Sequence, residues 1–368
     1  MRVVVAPDKF AGTLSAVEAA SAIATGWRRR FPETELVEVP MSDGGPGFVD
    51  VLHAALGGDL LAMTVSDPYG APVPATVLRV GDTAYVESAQ AVGLHLTEPA
   101  DRKPMVATSR GLGELVLAAV EDGARTVVVG AGGSATNDGG AGLLAALGAT
   151  AVGATLGLGP VGMAGLETVD LEPARQRVAG VRLVLASDVD NQLLGLVGAT
   201  KTFGPQKGLT DEELLVADGR LQRFAELTDR KLASSPGAGA AGGIGYALLL
   251  LGATRQPGVD LVAEAVGLGA QLSGADLVVT GEGAFDFSSR SGKVPYGVAQ
   301  VAAHSLVPCI ALAGQVLVGS REMRALGIEA AYSVVEMLGE ERALATPADA
   351  LADAAERVSR TWGRQAGR

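Results

Sequence analysis

The chain has 368 residues and a formal net charge of −12. The length suggests two domains, and the acidic balance argues against nucleic acid as a partner, because nucleic-acid binding needs a basic surface. Hydrophobic residues make up 48% and aromatic residues 4% of the sequence, which indicates a core of Val, Leu and Ala. The lone cysteine, Cys309, lies in an apolar run and excludes a disulfide within the chain, so a buried, inert thiol is expected.

The apolar runs argue against secretion and against a membrane partner. The N-terminal apolar stretch is too short for a secretory signal, and the most apolar run, residues 248–251, is far too short to span a bilayer. We therefore expect a cytoplasmic protein.

The first part of the chain predicts alternating strands and helices. Residues 3–6 are typical of a buried strand, and Ser15 with Glu18 forms a capping-box pattern for a helix to about Arg30. A second strand is predicted at residues 36–39. The sequence Ser-Asp-Gly-Gly at residues 42–45 should then open a second helix that ends near Leu56. This β-α-β-α order implies a parallel sheet.

After residue 60 the pattern changes to short alternating runs at residues 61–65, 73–79 and 84–87. Turn sequences separate these runs, which is typical of hairpins and not of β-α-β units. The change predicts an inserted domain over residues 61–239, while residues 1–60 and 240–368 form the first domain. Further elements predicted in the inserted domain are a helix at 111–121, a strand and helix start within 126–147, a strand at 182–186 and a helix at 211–231.

Three strands are predicted after the insertion, at residues 276–280, 307–313 and 331–335. With the first two strands they suggest a five-stranded parallel sheet in the doubly wound, flavodoxin-like order 2-1-3-4-5. The predicted fold is therefore a flavodoxin-like α/β domain interrupted by a second α/β domain with a mixed sheet. Ligands of such sheets bind at the carboxyl ends of strands, where Asp8, Lys9, Asp43 and Gly44 are expected. In the predicted strand order, Asp8 and Lys9 should face residues 281–286, which include Glu282.

A glycine-rich loop at residues 130–140 follows an apolar, β-branched run and precedes an Ala/Leu-rich segment. Such a loop can bring backbone N–H groups close to an anion, and the following helix N-terminus adds partial positive charge. Its polar residues, Ser134, Thr136, Asn137 and Asp138, are also ordinary helix-capping residues. The loop alone leaves a ligand-binding and a purely structural role equally open.

Cations lie beside or within the glycine-rich loops of this acidic chain: Lys9, Arg110, Lys201, Lys207, Arg290 and Lys293. Phosphoryl transfer needs this combination, because cations and N–H groups bind phosphates, while carboxylates hold Mg²⁺ or accept a hydroxyl proton. Asp188 and Asp190 follow the strand at 182–186 and should lie on one side of the chain. They suit a metal or nucleotide contact, or an Asx-rich turn.

Residues 130–135 also fit the Gly-x-Gly-x-x-Ala form of a dinucleotide fingerprint. The acidic residue expected roughly 20 positions later is missing, which speaks against this interpretation. A nicotinamide-dependent oxidoreductase is nevertheless one alternative, and a non-catalytic sensor of a phosphorylated metabolite is another. The concentration of Asp and Glu at predicted strand ends disfavours the sensor, since a sensor needs no metal site.

Taken together, the motifs resemble those of the bacterial glycerate kinase family, the group that includes the glycerate 2-kinases. The matching segments, in the family's order, are Ala6-Pro7-Asp8-Lys9-Phe10 with Leu14-Ser15-Ala16, Ser42-Asp43-Gly44-Gly45, residues 132–140, residues 203–208, residues 237–243, and Thr280-Gly281-Glu282-Gly283 with Asp286 and Gly292-Lys293. Pro46 and Ala284-Phe285 depart from the family's pattern and put local contacts in doubt.

The resemblance implies transfer of the ATP γ-phosphoryl group to a hydroxyl of D-glycerate with Mg²⁺, in a cleft between the domains. It favours the 2-hydroxyl and so 2-phosphoglycerate as the product, while the sequence itself leaves the 2- and the 3-hydroxyl both open. It implies that the nucleotide is held by Gly132, Gly133, Ser134, Thr136, Asn137, Asp188, Asp190 and Lys207. A metal ligand and a base would come from Asp8, Glu282 and Asp286, with Glu282 and Asp286 on the metal. Lys9, Arg290 and Lys293 would bind the glycerate carboxylate and the transferred phosphoryl group. A monomer and a homodimer both remain open.

Overall fold

The structure is a computed structural model that describes residues 1–10, 12–286 and 293–363. Its strands are β1 (Arg2–Val5), β2 (Glu35–Glu38), β3 (Asp59–Ser66), β4 (Pro72–Val80), β5 (Thr83–Glu87), β6 (Thr126–Gly130), β7 (Thr150–Val152), β8 (Thr168–Asp170), β9 (Arg182–Ala186), β10 (Thr254–Gln256), β11 (Leu277–Thr280), β12 (Ala284–Phe285), β13 (Cys309–Ala313), β14 (Gln315–Val316) and β15 (Ala330–Ser333).

The α-helices are α1 (Ala16–Arg30), α2 (Phe48–Leu56), α3 (Ser88–Val92), α4 (Arg110–Glu121), α5 (Ala141–Ala146), α6 (Gly159–Gly162), α7 (Glu172–Arg177), α8 (Ala199–Lys207), α9 (Asp211–Leu227), α10 (Ala240–Leu250), α11 (Gly258–Ala265), α12 (Leu268–Leu272), α13 (Val294–His304), α14 (Ser320–Ala325), α15 (Val334–Leu338), α16 (Glu340–Ala345) and α17 (Pro347–Trp362). Within the described residues, none of these helices is both long and apolar enough to cross a membrane.

The first of two compact units comprises Met1–Asp43, Asp50–Leu56 and Pro257–Arg368. Its five-stranded sheet has the order β15-β13-β11-β1-β2, and every neighbouring pair is parallel. Numbered along this unit, the order is 2-1-3-4-5, which confirms the flavodoxin-like prediction. Strand β1 lies between β11 and β2, and its Val4 pairs with Val278 of β11 on one side and with Val37 of β2 on the other.

The core of the first unit follows from the apolar pattern of its sequence. Val3 and Val5 of β1 and Trp27 of α1 are fully buried in one cluster with residues of α17. The capping box predicted from Ser15 and Glu18 is confirmed, and it begins α1 at Ala16. The buried thiol predicted for Cys309 is also confirmed, and burial raises the pKa of that thiol far above its usual range.

The second unit comprises Gly44–Val49 and Gly57–Gln256. Its six-stranded sheet has the order β10-β9-β6-β5-β4-β3. The β3-β4 and β4-β5 pairs are antiparallel, whereas the pairs from β5 to β10 are parallel, so the predicted mixed sheet is confirmed. Residues 240–256 belong to this unit, whereas the sequence-based division placed them in the first domain. Strand β10 holds them here, because Thr254 pairs with Val184 of β9.

Helix α2 begins later than predicted, at Phe48 instead of directly after the Ser-Asp-Gly-Gly sequence. Gly44 and Gly47 have φ angles of 87° and 93°, which are left-handed and cannot continue a right-handed helix. The carboxylate of Glu87 accepts hydrogen bonds from the N–H groups of Gly47, at 3.1 Å, and Val49, at 3.2 Å. A long-range carboxylate therefore satisfies N–H groups at the start of this helix.

Candidate active site

The first unit collects carboxylates at the carboxyl ends of β1, β2 and β11. Asp8 follows β1, Asp43 follows β2 and Glu282 follows β11. Two hydrogen bonds with backbone groups fix the position of Asp8. Its N–H donates to the carbonyl oxygen of Gly281 at 2.8 Å, and its Oδ1 accepts the N–H of Lys9 at 2.7 Å. The parallel pairing of β1 with β11 brings distant parts of the chain together. Close to Asp8, for example, the Thr280 hydroxyl donates to the carbonyl oxygen of Ala6, which lies 274 residues earlier in the sequence.

Asp8 is buried, and its environment raises the pKa of its carboxyl group. Burial raises the pKa of the Asp8 carboxyl from 3.8 to about 7; the Lys9 ammonium and the hydrogen bond from the Lys9 N–H oppose the shift, and Asp43 and Glu282 reinforce it. The Lys9 Nζ lies 3.7 Å from Asp8 Oδ1 and 3.7 Å from Asp43 Oδ1. A carboxyl of this kind can take up or release a proton at neutral pH.

A second cation lies beside the carboxylates that follow β11. The Lys293 Nζ is 3.8 Å from Glu282 Oε2 and 3.6 Å from Asp286 Oδ1. Lys293 immediately precedes α13, so the helix fixes the position of its backbone. The predicted residues Asp8, Lys9, Glu282, Asp286 and Lys293 therefore all lie in the first unit at one edge of its sheet. Arg290, which was predicted to act with them, lies outside the described residues.

The carboxylates fit Mg²⁺ as partial ligands. Within residues 1–10, 12–286 and 293–363, no three Asp, Glu, His or Cys side chains are placed so that they could hold a metal ion by themselves. Mg²⁺ is usually held by one or two carboxylates together with substrate phosphates and water, because it gives up its water ligands reluctantly. Glu282 and Asp286, which share Lys293, carry hard oxygen atoms of the kind that such a site uses.

In the second unit, the glycine-rich loop between β6 and α5 is organised around Asp138. This buried carboxylate accepts four hydrogen bonds, from the N–H and Oγ of Ser109 at 2.8 Å each, and from the N–H groups of Gly140 at 3.0 Å and Gly142 at 3.1 Å. Burial raises the pKa of Asp138, while these hydrogen bonds lower it. Asp138 therefore holds the loop in shape and ties it to the start of α4.

Lys207, at the end of α8, is buried beneath the same loop. Its Nζ donates to Ser134 Oγ at 3.1 Å and to the carbonyl oxygen of Thr136 at 2.5 Å. Burial lowers the pKa of Lys207 from 10.5 to about 7, although Asp138 opposes the shift. Gly242 fits against this arrangement only because it lacks a side chain, since a Cβ there would lie 1.8 Å from the Thr136 carbonyl oxygen.

Lys207 lines a cavity of about 100 Å³ in the second unit together with Gly132, Gly133 and Ser134. At roughly 30 Å³ of liquid volume per water molecule, the space suits a group of a few heavy atoms. A phosphate or carboxylate group fits this volume. The cavity combines a buried cation, a hydroxyl and glycine backbone, which are the groups that bind anions.

The other predicted nucleotide ligands of the second unit are placed differently. Thr136 and Asn137 are fully buried and lie outside the lining of the cavity. The Asn137 amide donates to Thr200 Oγ1 at 3.0 Å, while Asn137 Oδ1 and Thr136 Oγ1 have no hydrogen-bond partner among the described residues. Asp190 is exposed, and its Oδ1 lies 2.8 Å from Nη2 of Arg255. Asp188, two residues earlier, is half-buried.

Some glycines of the loop serve close packing. A Cβ on Gly132 would lie 2.7 Å from the Cα of Gly45, and one on Gly130 would lie 2.6 Å from the carbonyl oxygen of Gly44. The Gly132 N–H donates to Ser88 Oγ at 3.2 Å and is therefore already used within the protein. The glycines of this loop are therefore needed for close backbone packing as well as for ligand space, and the sequence alone could not distinguish these two roles.

Two residues of these groups had no role assigned from the sequence. Asp43, which was expected at the end of the second strand, contacts Lys9. Asp138 organises the glycine-rich loop, and its signal was a carboxylate among glycines at a helix start.

The fold and the two side-chain groups define an α/β phosphotransferase. The sequence model described as the Glycerate kinase family matches residues 3–363 of this chain. The chain therefore belongs to the glycerate kinase family. Membership implies ATP as the phosphoryl donor and a small-molecule acceptor, and it favours a kinase over the oxidoreductase and sensor alternatives.

Known proteins support the same assignment. The chain is 42% identical over 345 residues to glycerate kinase of Bacillus subtilis (strain 168), which covers 91% of this chain and 90% of that protein. It is 41% identical over 349 residues to glycerate 2-kinase of Escherichia coli (strain K12), with 92% of each covered. A crystal structure from Salmonella typhimurium LT2, assigned as glycerate kinase 2, superposes with a TM-score of 0.82 at 37% identity and 100% coverage of both chains.

Proposed function

We propose that this protein transfers the γ-phosphoryl group of ATP to the 2-hydroxyl of D-glycerate with the help of Mg²⁺. The observation that carries the proposal is the group of Asp8, Lys9, Glu282, Asp286 and Lys293 at one edge of the first sheet. It combines a proton acceptor, carboxylates and two lysines, which are the parts that phosphoryl transfer needs. The relative named glycerate 2-kinase supports the 2-position.

In this proposal Asp8 accepts the proton of the acceptor hydroxyl. The hydroxyl oxygen forms a bond to the γ-phosphorus, the bond from that phosphorus to the β,γ-bridging oxygen breaks, and ADP leaves with the electron pair. A pKa of about 7 leaves a large fraction of Asp8 ionised at neutral pH and still basic enough to take the proton. Lys9 holds the Asp8 carboxylate in place through its ammonium and N–H groups.

The lysines and the remaining carboxylates bind the charged parts of the substrates. Lys9 and Lys293, with Arg290 as predicted from the sequence, bind the glycerate carboxylate and the transferred phosphoryl group. Glu282 and Asp286 would hold Mg²⁺, which when bound would neutralise charge on the phosphate oxygens.

The second unit supplies an anion site for the nucleotide phosphates. Gly133 and Ser134 bind a phosphate group in the small cavity that Gly132 also lines, and Lys207 adds positive charge there. Thr136 acts through its carbonyl oxygen, which positions Lys207, and Asn137 acts by fixing α8.

Several finer expectations stay predictions. They include the contacts of Asp188 and Asp190 with the nucleotide, a reaction cleft between the domains, a cytoplasmic location, and the choice between monomer and homodimer.

The test is a coupled assay of ADP release with ATP, Mg²⁺ and one of D-glycerate, L-glycerate, glycerol or no acceptor. We expect release that depends on D-glycerate, and a loss of about 100-fold or more in kcat for Asp8→Asn and Lys293→Met. Lys231→Met, which changes an exposed lysine of the second unit, is the matched control and should behave as wild type. D-Glycerate-dependent release that both site variants retain would show that the reaction does not use this group.

A further inference from the structure

The first unit contains a cavity of about 250 Å³ that the reaction scheme above leaves unused. It lies where the chain leaves β1, β11, β13 and β15, because Phe10, Gly283, Gly314 and Val334 each follow one of these strands and line the cavity. This is the carboxyl edge of the sheet, at which doubly wound folds bind their ligands.

Most of the lining is apolar. Phe10, Val334 and Leu351 are buried in its wall, and Leu344 stands at the rim with 60% of its surface exposed. Polar side chains are few and lie on the exposed side, where Gln315 is an example. A cavity of this kind suits a compact, largely apolar group that carries a few hydrogen-bonding atoms.

The wall of the cavity is joined directly to the phosphoryl-transfer group. Phe10 is two residues after Asp8, and Gly283 directly follows Glu282. The N–H of Gly314 donates to the Glu282 carbonyl oxygen, and that of Gln315 donates to the Gly283 carbonyl oxygen, both at 3.0 Å. A ligand in the cavity would therefore lie next to the residues proposed to act on the phosphates.

Two short helices complete the cavity. Helices α15 and α16 lie between the last strand and the last helix of the unit, and α16 contributes Ala343 and Leu344 to the lining. Val334 of α15 and Ala343 of α16 also pack against the apolar core of this unit, so the wall of the cavity is continuous with the core.

We propose that this cavity binds the adenine base of ATP. The inference rests on the proposed function, which brings two substrates to the enzyme. Glycerate is a small hydroxy acid whose polar groups would have no partners among apolar side chains. The nucleobase is the one planar, weakly polar part of either substrate, and burying it would cover Leu344. The proposal concerns the base of the nucleotide and not its phosphates.

The test fills the cavity with Ala343→Phe and compares it with Ala345→Phe, the same change at an exposed position of the same helix that does not line the cavity. We expect KM for ATP to rise about tenfold or more in Ala343→Phe, with KM for D-glycerate changed less than about twofold. Leu344→Ala is a milder variant at the exposed rim, and it should raise KM for ATP about threefold.

A donor without a base provides a second readout. Inorganic tripolyphosphate carries the phosphates of ATP but no adenosine, so it gains nothing from this cavity. The ratio of kcat/KM for ATP to kcat/KM for tripolyphosphate should be at least about tenfold larger in wild type than in Ala343→Phe. Equal KM values for ATP in wild type, Ala343→Phe and Leu344→Ala would overturn the proposal, as would an unchanged preference over tripolyphosphate.

Direct binding of ADP, measured by calorimetry, separates this proposal from the function on which it rests. If wild type lacks D-glycerate-dependent turnover but binds ADP, and Ala343→Phe weakens that binding, the adenine site stands and the glycerate assignment fails. If turnover is normal and Ala343→Phe binds ADP as Ala345→Phe does, the glycerate assignment stands and the adenine site fails.

Discussion

Lys207 should make the stability of the protein depend on pH in a way that its replacement removes. The side chain is buried, and its pKa falls from 10.5 to about 7 on folding. Between these two pH values the unfolded chain binds a proton at Lys207 that the folded chain does not bind. The free energy of unfolding therefore rises with pH over this range, and Lys207 costs most stability below pH 7.

The size of the effect follows from the shift. Each pH unit well inside the range changes the free energy of unfolding by about 1.4 kcal/mol, and less near the folded pKa. From pH 7 to pH 9 the contribution of Lys207 should grow by about 2 kcal/mol. Lys207→Met also leaves Ser134 Oγ and the Thr136 carbonyl without their lysine partner. That loss does not vary with pH, so the change with pH isolates the buried ammonium.

The assay is urea unfolding of wild type and Lys207→Met at several pH values between 7 and 9. We expect the free energy of unfolding of wild type, minus that of the variant, to increase by about 2 kcal/mol over this range. Gln206→Met, which alters a neutral neighbour lining the same cavity, should give a difference that is constant with pH. A constant difference for Lys207→Met as well would refute the burial of an ammonium group at this position.

Three further predictions follow from the same geometry. Asp8→Asn should lower kcat about 100-fold or more. It should also raise the free energy of unfolding at pH 8, because an ionised Asp8 with a folded pKa of about 7 costs stability above pH 7. In urea unfolding this gain in stability should shrink as the pH falls toward 4, and a gain that persists at pH 4 would contradict the raised pKa. Gly132→Ala should lower the free energy of unfolding by about 1–3 kcal/mol, because its Cβ would lie 2.7 Å from Gly45 Cα, whereas Gly219→Ala, on an open face of α9, should raise it by about 0.5–1 kcal/mol. Binding of ADP at pH 8 should be accompanied by proton uptake in wild type and by less uptake in Lys207→Met, since an adjacent anion favours the protonated form of Lys207. Calorimetry in buffers of different ionisation enthalpy measures this uptake. Equal uptake in both proteins would exclude Lys207 as the group that accepts the proton.

The fold could be predicted where its signals are local. Buried β-branched runs such as those of β1 and β11 identify parallel strands without knowledge of their neighbours, and alternating runs identify the hairpin from β3 to β5. The sequence Thr-Arg-Gln of β10 has no apolar pattern and becomes a strand only because β9 offers a free edge. The late start of α2 likewise depends on Glu87, which lies 40 residues beyond Gly47.

The residues of the candidate site likewise fall into those that local sequence patterns predict and those that depend on distant contacts. The positions of Asp8 and Glu282 follow from the rule that ligand-binding residues lie at the carboxyl ends of parallel strands, and the structure places both there. The burial of Lys207 depends on its contact with Ser134, which is 73 residues away in the sequence, so local patterns could not reveal it. The apolar cavity was equally hidden, because four separate strand ends and two short helices form it.

The most direct test of the proposed reaction is ³¹P NMR of the product formed from ATP, Mg²⁺ and D-glycerate by the wild-type protein. The proposal predicts ADP and 2-phosphoglycerate in equal amounts, with no product when D-glycerate is left out. Formation of 3-phosphoglycerate would contradict the assigned position, and the absence of any phosphorylated glycerate from folded protein would contradict the assigned reaction.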